Sequence, residues 1–311
     1  MTRTLLFALP LLACTAAPPS KTTYTYKTAG DCAIQADVYR ASRAGPRPAI
    51  LWIHGGALIM GHRGGISGVQ LGRYLEAGFT VVSIDYRLAP ETKLPEILRD
   101  VEDAYSWLRA KGPALFAVDP DRIAVVGHSA GGYLTLVSGY RFRPRPRALV
   151  SFYGYGDIVG DWYSRPDPFY SRQPAVSRNE AYAAVGAKAI SSARDAPARD
   201  RFYLYCRQQG LWPDLVAGLD PRKQAAAFQP FCPLRNITRD YPPALLLHGD
   251  HDTDVPFTQS ELMVKELERN GVEHEFLRIP GGQHGFDHDM ADPRAADAFN
   301  RVIAFLENHL R

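Results

Sequence analysis

Cysteine is scarce in this chain, with 4 in 311 residues. So few thiols cannot staple a chain of this length, and a buried core has to hold it instead. No two of them are spaced as zinc ligands are, which removes the structural-zinc classes. Charge of one sign is also lacking. Lysine and arginine number 36 against 33 acidic residues, a net charge of +3, and the bases form no run. The electrostatic footprint of a nucleic-acid binder is therefore absent. After residue 12 no apolar stretch approaches the length that crosses a bilayer, so any membrane contact is expected through lipid alone. What the chain does have is a 46% hydrophobic fraction. That is ample for one large α/β domain with an insertion.

The first residues read as a processing signal. Met1-Thr2-Arg3 is a short basic start, and Leu5 to Leu12 is an apolar run. Leu11-Leu12-Ala13-Cys14 resembles a bacterial lipobox, in which a small residue precedes a cysteine that becomes lipidated; Leu12 is less usual at its position. Thr15-Ala16-Ala17 offers a rival cut that would release a soluble protein. Both place the protein in the cell envelope; the remaining alternative is a cytosolic chain with an apolar start. An oxidising compartment permits one disulfide among Cys32, Cys206 and Cys232. Cys206 and Cys232 fall in the same insertion and are the expected pair.

Residues 15 to 22, small and polar with prolines, read as a linker. Thr23 to Tyr26 and Ala36 to Tyr39 alternate as antiparallel edge strands do. Ala49–Ile53, Phe79–Ile84, Ile123–Val126, Ala148–Phe152, Ala244–Leu247 and Glu275–Ile279 read as strands, several of them buried. Helices are expected over Gly68–Glu76, Leu94–Ala110, Ala130–Tyr140, Ser260–Asn270 (closed by Gly271) and Ala295–His309. This alternation predicts a mostly parallel sheet with helices on both faces. Residues 154 to 240 break the rhythm. They are rich in proline and aromatics, with helical patches at Asn179–Ser192 and Ala198–Gln208. A structureless loop of that length is implausible, so a helical cap or lid is expected, with an outlying structural insertion as the alternative.

Gly127-His128-Ser129-Ala130-Gly131 reads G-x-S-x-G, between a predicted strand and a predicted helix. A serine on so tight a turn has its Oγ pushed away from the backbone, beside amides at a positive helix end. The small residues let strand and helix pass closely. The bland alternative is a helix-capping serine.

A serine hydroxyl needs a base, and an imidazole base needs a carboxylate to fix its tautomer. Leu245 to Leu247 run into His248-Gly249-Asp250-His251-Asp252-Thr253-Asp254, where three aspartates compete for that role and spacing does not choose between them. Ile279-Pro280-Gly281-Gly282-Gln283-His284-Gly285 places a histidine between glycines at a strand end, suited to reaching across to a serine. His288 is its rival, while His62, His251, His274 and His309 read as solvated or structural. After another strand, His54-Gly55-Gly56-Ala57 brings glycines where amides can face a substrate oxygen. Gly55, Gly56, Ala57 and Ala130 are the candidate oxyanion and substrate-binding positions, and His54 reads as a hydrogen bonder that orients the loop.

His54-Gly55-Gly56, Asp85-Tyr86-Arg87-Leu88-Ala89-Pro90-Glu91, Val118-Asp119-Pro120-Asp121-Arg122 and Gly127 to Gly132 together resemble the α/β-hydrolase esterases of the hormone-sensitive-lipase-like branch. The stretch from Ala36-Asp37-Val38-Tyr39 through Trp52-Ile53-His54 is more similar to bacterial feruloyl and acetyl-xylan esterases. The resemblance runs from about residue 23 to the end, outside the insertion. It implies the α/β-hydrolase fold. It also implies that Asp252 is the acid, from the form His-Gly-x-x-Asp-x-x-Val-Pro, and that Asp85 to Glu91 brace the oxyanion loop. Ala57 stands where the family often has a third glycine, and it still offers an N–H.

The expectation is a serine carboxylic-ester hydrolase using Ser129, His284 and Asp252 through an acyl-enzyme, with neither metal nor organic cofactor. Short-acyl or carbohydrate-linked esters are the expected substrates. Aromatic residues of the insertion (Trp162, Tyr163, Phe169, Tyr170, Tyr182, Phe202, Tyr203, Tyr205 and Trp212) either stack on such groups or form the insertion's own core. The alternatives are a prolyl-oligopeptidase-type serine peptidase and a non-catalytic binding protein of the same fold.

Overall fold

The computed structural model describes residues 20–40, 45–196 and 198–311. The apolar segment Leu5 to Leu12, Cys14 and the cut at Thr15-Ala16-Ala17 lie outside the described residues. Eight strands form one sheet, in the order β1-β2-β4-β3-β5-β6-β7-β8. β1 (Ser20–Ala29) and β2 (Cys32–Arg40) make an antiparallel hairpin, and β2 joins β4 (Thr80–Ile84) antiparallel. β3 (Arg47–Ile53), β4, β5 (Val118–His128), β6 (Ala148–Phe152), β7 (Ala244–Gly249) and β8 (His274–Ile279) run parallel. The expected mostly parallel sheet is thus present. Ser20 to Thr22, expected as linker, belong to β1 because their backbone pairs with Tyr39, Arg40 and Val38.

Alternation explains why the inner strands read as continuous apolar runs. Side chains on a strand point to opposite faces, and here both faces are covered. Ala49, Leu51 and Ile53 of β3 enter one core, while Ile50 and Trp52 enter the other. The first core is roofed by α2 (Leu94–Phe116), α3 (Ala130–Arg141) and α8 (Thr258–Arg269). The second is roofed by α1 (Gly68–Glu76) and α9 (Pro293–His309). α9 shows how: Ala295, Ala298, Phe299, Val302, Phe305 and Leu306 are its buried residues, a stripe of threes and fours on one helix face. Each large side chain on such a stripe contributes on the order of 2 kcal/mol by leaving water. α2 runs to Phe116, past the expected end at Ala110, and closes on Ala117 in the left-handed region (φ 53°).

The segment between β6 and β7 packs on the first core through Tyr163, Phe202, Trp212 and Phe228. It carries short helices α4 (Asp161–Ser164), α5 (Arg178–Tyr182), α6 (Arg199–Gln209) and α7 (Trp212–Ala217). The patch expected at Ala198–Gln208 is α6. The patch expected at Asn179–Ser192 is helical only to Tyr182, after a capping box at Ser177 and Glu180. The expected Cys206–Cys232 disulfide is absent: both thiols are free and fully buried. Each is a small apolar filler in the first core, and burial pushes both thiols up.

Candidate active site

The C-terminal ends of β3, β5, β7 and β8 deliver the candidate residues to one end of the sheet, where ligands of open α/β sheets bind. At the end of β5 the chain must turn into α3 within one residue. Ser129 takes that turn with φ 56° and ψ −118°, in the positive-φ region that side-chain-bearing residues rarely adopt. The turn is possible because its neighbours lack side chains. A Cβ on Gly127 would land on the carbonyl of Gly131, and one on Gly131 would land on the carbonyl of Ile53. Although Ser129 occupies the N-cap position of α3, its Oγ caps nothing. It lies 3.1 Å from His284 Nε2.

His284 Nδ1 is 2.7 Å from Asp252 Oδ2. Of the three aspartates in the β7 loop, Asp252 alone meets Nδ1. Its side chain is fully buried, and its Oδ1 accepts from the amides of Asp254 and Val255 at 2.8 and 2.9 Å. His248 reaches the same carboxylate, with Nε2 3.2 Å from Oδ2. Burial alone would raise the Asp252 carboxyl; the hydrogen bonds from His248 and His284 outweigh it and hold the group well below the usual carboxylate range. Burial lowers His284, but the bond to Asp252 and the charges of Asp254, Asp252 and Asp287 raise it on balance. Asp250 is turned away and ties two loops together, accepting from Gly281 N at 2.6 Å and Arg278 Nε at 2.8 Å. His288 lies in the cleft wall without meeting Ser129.

Gly56, Ala57 and Leu58 all take positive φ (105°, 55° and 62°). Among the described residues, the amides of Gly56, Ala57 and Ala130 donate to no protein acceptor. His54 is buried, stacks on Tyr86 with ring centroids 4.2 Å apart, and has Nδ1 2.7 Å from the carbonyl of Gly55. Tyr86 OH donates to His54 O at 3.0 Å and Ala89 N to Leu58 O at 2.8 Å, so residues 85 to 91 do brace this loop.

The cleft holds about 390 Å³ and is lined by Ser129, His284, Gly55, Gly56 and Ala57, with Trp52, Gln70, Tyr153, Asp254 and Asp287 among its walls. Of the aromatic residues named in the insertion, only Tyr203 lines it; Tyr163, Phe202 and Trp212 are buried in the first core, which the insertion shares with the sheet.

Three features were not read from the sequence. His248 sits four residues before Asp252 at the end of an apolar strand. A polar residue where burial is complete was the signal to follow. Asp287 is buried, with Gln70 Nε2 at 2.7 Å, Tyr153 OH at 2.8 Å and His128 Nε2 at 3.0 Å. Burial would raise it, but the nearby His128 and these hydrogen bonds hold it well below the carboxylate range. It thereby ties the His284 loop to the strand that carries Ser129. The third is Arg207 of α6, which bonds Asp254 Oδ1 at 2.7 Å and Asp167 Oδ2 at 2.5 Å.

Residues 50–288 match the family described as the alpha/beta hydrolase fold. A non-reducing polyketide synthase of Penicillium rubens is 29% identical over 93% of this chain, which spans 14% of that protein. The chain thus covers about a seventh of the curated relatives it matches. An α/β hydrolase superfamily protein from Enterococcus faecalis superposes with a TM-score of 0.74 at 24% identity, covering 93% of this chain and 99% of that one. The thermostable carboxylesterase EstE1, from a metagenomic library, gives 0.70 at 24% identity, covering 95% and 90%. At these identities the likeness is one of fold.

Proposed function

The chain belongs to the alpha/beta hydrolase fold family, and from that premise we propose that it is a serine carboxylic-ester hydrolase. The observation that carries this reading is the relay Asp252–His284–Ser129, with links of 2.7 and 3.1 Å, opening onto a cleft beside amides that have no acceptor among the described residues. In this reading Ser129 Oγ attacks the ester carbonyl as its proton passes to His284 Nε2. Asp252 holds the imidazole with Nδ1–H toward it and stabilises the imidazolium. The amides of Gly56, Ala57 and Ala130 receive the oxyanion, each worth roughly 3–4 kcal/mol in the transition state. The imidazolium then gives its proton to the leaving alcohol, and an acyl-enzyme remains. Water, deprotonated by His284, attacks the acyl carbon, and Ser129 leaves with the returned proton.

The resemblance to hormone-sensitive-lipase-like and feruloyl or acetyl-xylan esterases, together with a cleft of modest volume, supports short-acyl or carbohydrate-linked esters as substrates. The test is hydrolysis of p-nitrophenyl esters from acetate to palmitate by the wild type and by Ser129→Ala. Turnover of the short esters that vanishes in the variant is expected. Turnover that survives the substitution, or no turnover of any ester, overturns the reading.

A further inference from the structure

We propose that Asp254 is a specificity-determining residue: it accepts a hydrogen bond from a hydroxyl on the alcohol part of the ester, so that esters of polyols and sugars are favoured over esters of simple alcohols. This rests on the hydrolase reading above and names the leaving-group class for the same site.

Asp254 lies in the loop after β7, near Asp252, but its side chain is held by residues of the segment between β6 and β7. Tyr170 OH donates to its Oδ1 at 2.9 Å, Arg207 Nη1 donates to the same oxygen at 2.7 Å, and Tyr203 OH makes a third bond there. Arg207 also bonds the main-chain carbonyl of Asp254 at 3.0 Å, and its own side chain is 1% exposed. Its guanidinium sits among the rings of Trp162, Tyr163, Tyr170 and Tyr203. One carboxylate oxygen is therefore saturated by the segment between β6 and β7, which fixes where the other points. Oδ2 lies 3.4 Å from His284 Nε2, and Asp254 lines the cleft with a fifth of its side chain (19%) exposed.

That position is on the leaving-group side. His284 Nε2 must reach both Ser129 Oγ, now at 3.1 Å, and the departing alcohol oxygen. Oδ2 stands beside the same nitrogen, so a group attached next to the ester oxygen comes within its reach. In a vicinal diol the two oxygens are at hydrogen-bond separation in the gauche form. One can face Nε2 while the other donates to Oδ2. A simple alkyl alcohol covers Oδ2, strips its water and returns no hydrogen bond, which penalises that substrate. Left without a donor, Oδ2 also competes with the leaving oxygen for the Nε2 proton. Orienting the imidazole does not need Asp254, because Asp252 does so through Nδ1.

The experiment compares kcat/KM for 2-hydroxyethyl acetate, n-propyl acetate and 2-methoxyethyl acetate, each at the pH of maximal activity, for the wild type and Asp254→Asn. The wild type should prefer the hydroxyl ester over the propyl ester by roughly ten- to a hundredfold, the range of a hydrogen bond to a charged group. The methoxy ester should fare no better than propyl, since it cannot donate. In the variant the amide nitrogen presents a donor where the carboxylate presented an acceptor. The hydroxyl-over-methoxy ratio should then fall to within about threefold of one. If Asp254→Asn does not fold, Tyr203→Phe is read instead, and its hydroxyl-over-propyl ratio should drop as Oδ1 loosens. A wild-type ratio near one, or a ratio that neither variant moves, overturns the proposal while leaving the hydrolase reading intact. If the wild type cleaves none of the three esters and no p-nitrophenyl ester, both readings fall.

Discussion

The turn that carries Ser129 and the segment between β6 and β7 flank the same cleft, yet different contacts fix their positions. The turn is fixed by close approach of backbone to backbone, at Gly127 and Gly131, inside a sheet whose strands are apolar on both faces. The segment also packs apolar side chains into the first core, but it is pinned in addition by buried cations. Arg199 and Arg207 lie on α6, a helix written Arg-Asp-Arg-Phe-Tyr-Leu-Tyr-Cys-Arg-Gln-Gln, and both are 1% exposed. Arg199 bonds both carboxylate oxygens of Glu91 at 2.8 Å, the carbonyl of Ile59 at 2.6 Å and the carbonyl of Ala89. It thereby clamps the segment to the loop that presents Gly56 and Ala57. Arg207 does the same for the β7 loop. A hydrophobic core tolerates any partner of the right size, whereas a buried guanidinium needs its carboxylate and carbonyls in place. Apolar packing holds the segment on the core, and these few specific bonds set its register against the loops that border the cleft.

The sharpest test of this contrast is chemical. Ser129→Ala should lower kcat/KM for p-nitrophenyl acetate by about 10⁴-fold or more, with the melting temperature little changed, because Oγ makes no structural cap. A large loss of thermal stability would show that the turn is held by its side chain after all. Next is Arg199→Met, which strands a buried Glu91. Chemical denaturation should show a loss of roughly 3–5 kcal/mol, and Arg199→Met with Glu91→Leu should recover most of it. If the double variant is no better than the single one, the pair is not what clamps the segment. In the turn, Gly131→Ala should cost about 1–3 kcal/mol through steric clash alone, with no second-site charge change able to restore it.

The pH profile reads the electrostatics between the two regions. His284 must be neutral to take the serine proton, and its folded value is raised above the ordinary 6.5. Activity should therefore rise with pH through a midpoint above that value and fall away below it. Burial works against this shift, so the carboxylates around His284 supply it. Removing the Asp287 charge with Asp287→Asn should move the midpoint of kcat/KM to lower pH. A midpoint that moves up, or stays, would mean that charge does not reach His284. At the small end, Arg165 pairs with Asp161 where both side chains are about 70% exposed or more, at 70% and 74%. Arg165→Ala should leave stability within about 0.5 kcal/mol, measured by denaturant midpoint. A larger loss would show that surface charge, and not only buried charge, holds the segment.

The same contrast explains what could be read from the chain. Ile123 to Val126 and Ala244 to Leu247 were legible as strands because burial on both faces leaves a continuous apolar run. The turn at Ser129 was legible because only small residues satisfy its sterics. Of the three aspartates after β7, the residues themselves did not choose. Asp250, Asp252 and Asp254 differ in role only through what faces them: Arg278 and Gly281, His284 and His248, or Arg207 and Tyr203. The helical pattern over Asn179–Ser192 outruns the helix that forms, and the burial of the α6 arginines leaves no mark in the sequence, since an arginine in a polar helix ordinarily points to water. The cysteines misled through their proximity in sequence; each fills its own place in the core as a free thiol.

The sequence by itself determined the parallel sheet, the strand–turn–helix at Ser129 and the histidine that meets it. Those features rest on local sterics and on the periodicity of burial, which every short stretch of chain records. Only the tertiary structure decided which aspartate orients His284, which one faces the cleft, and where the segment between β6 and β7 comes to rest. Those choices depend on hydrogen bonds between residues far apart in the chain, such as Arg199 with Glu91 and Arg207 with Asp254. Such partners become neighbours only once the sheet has brought the strand ends together.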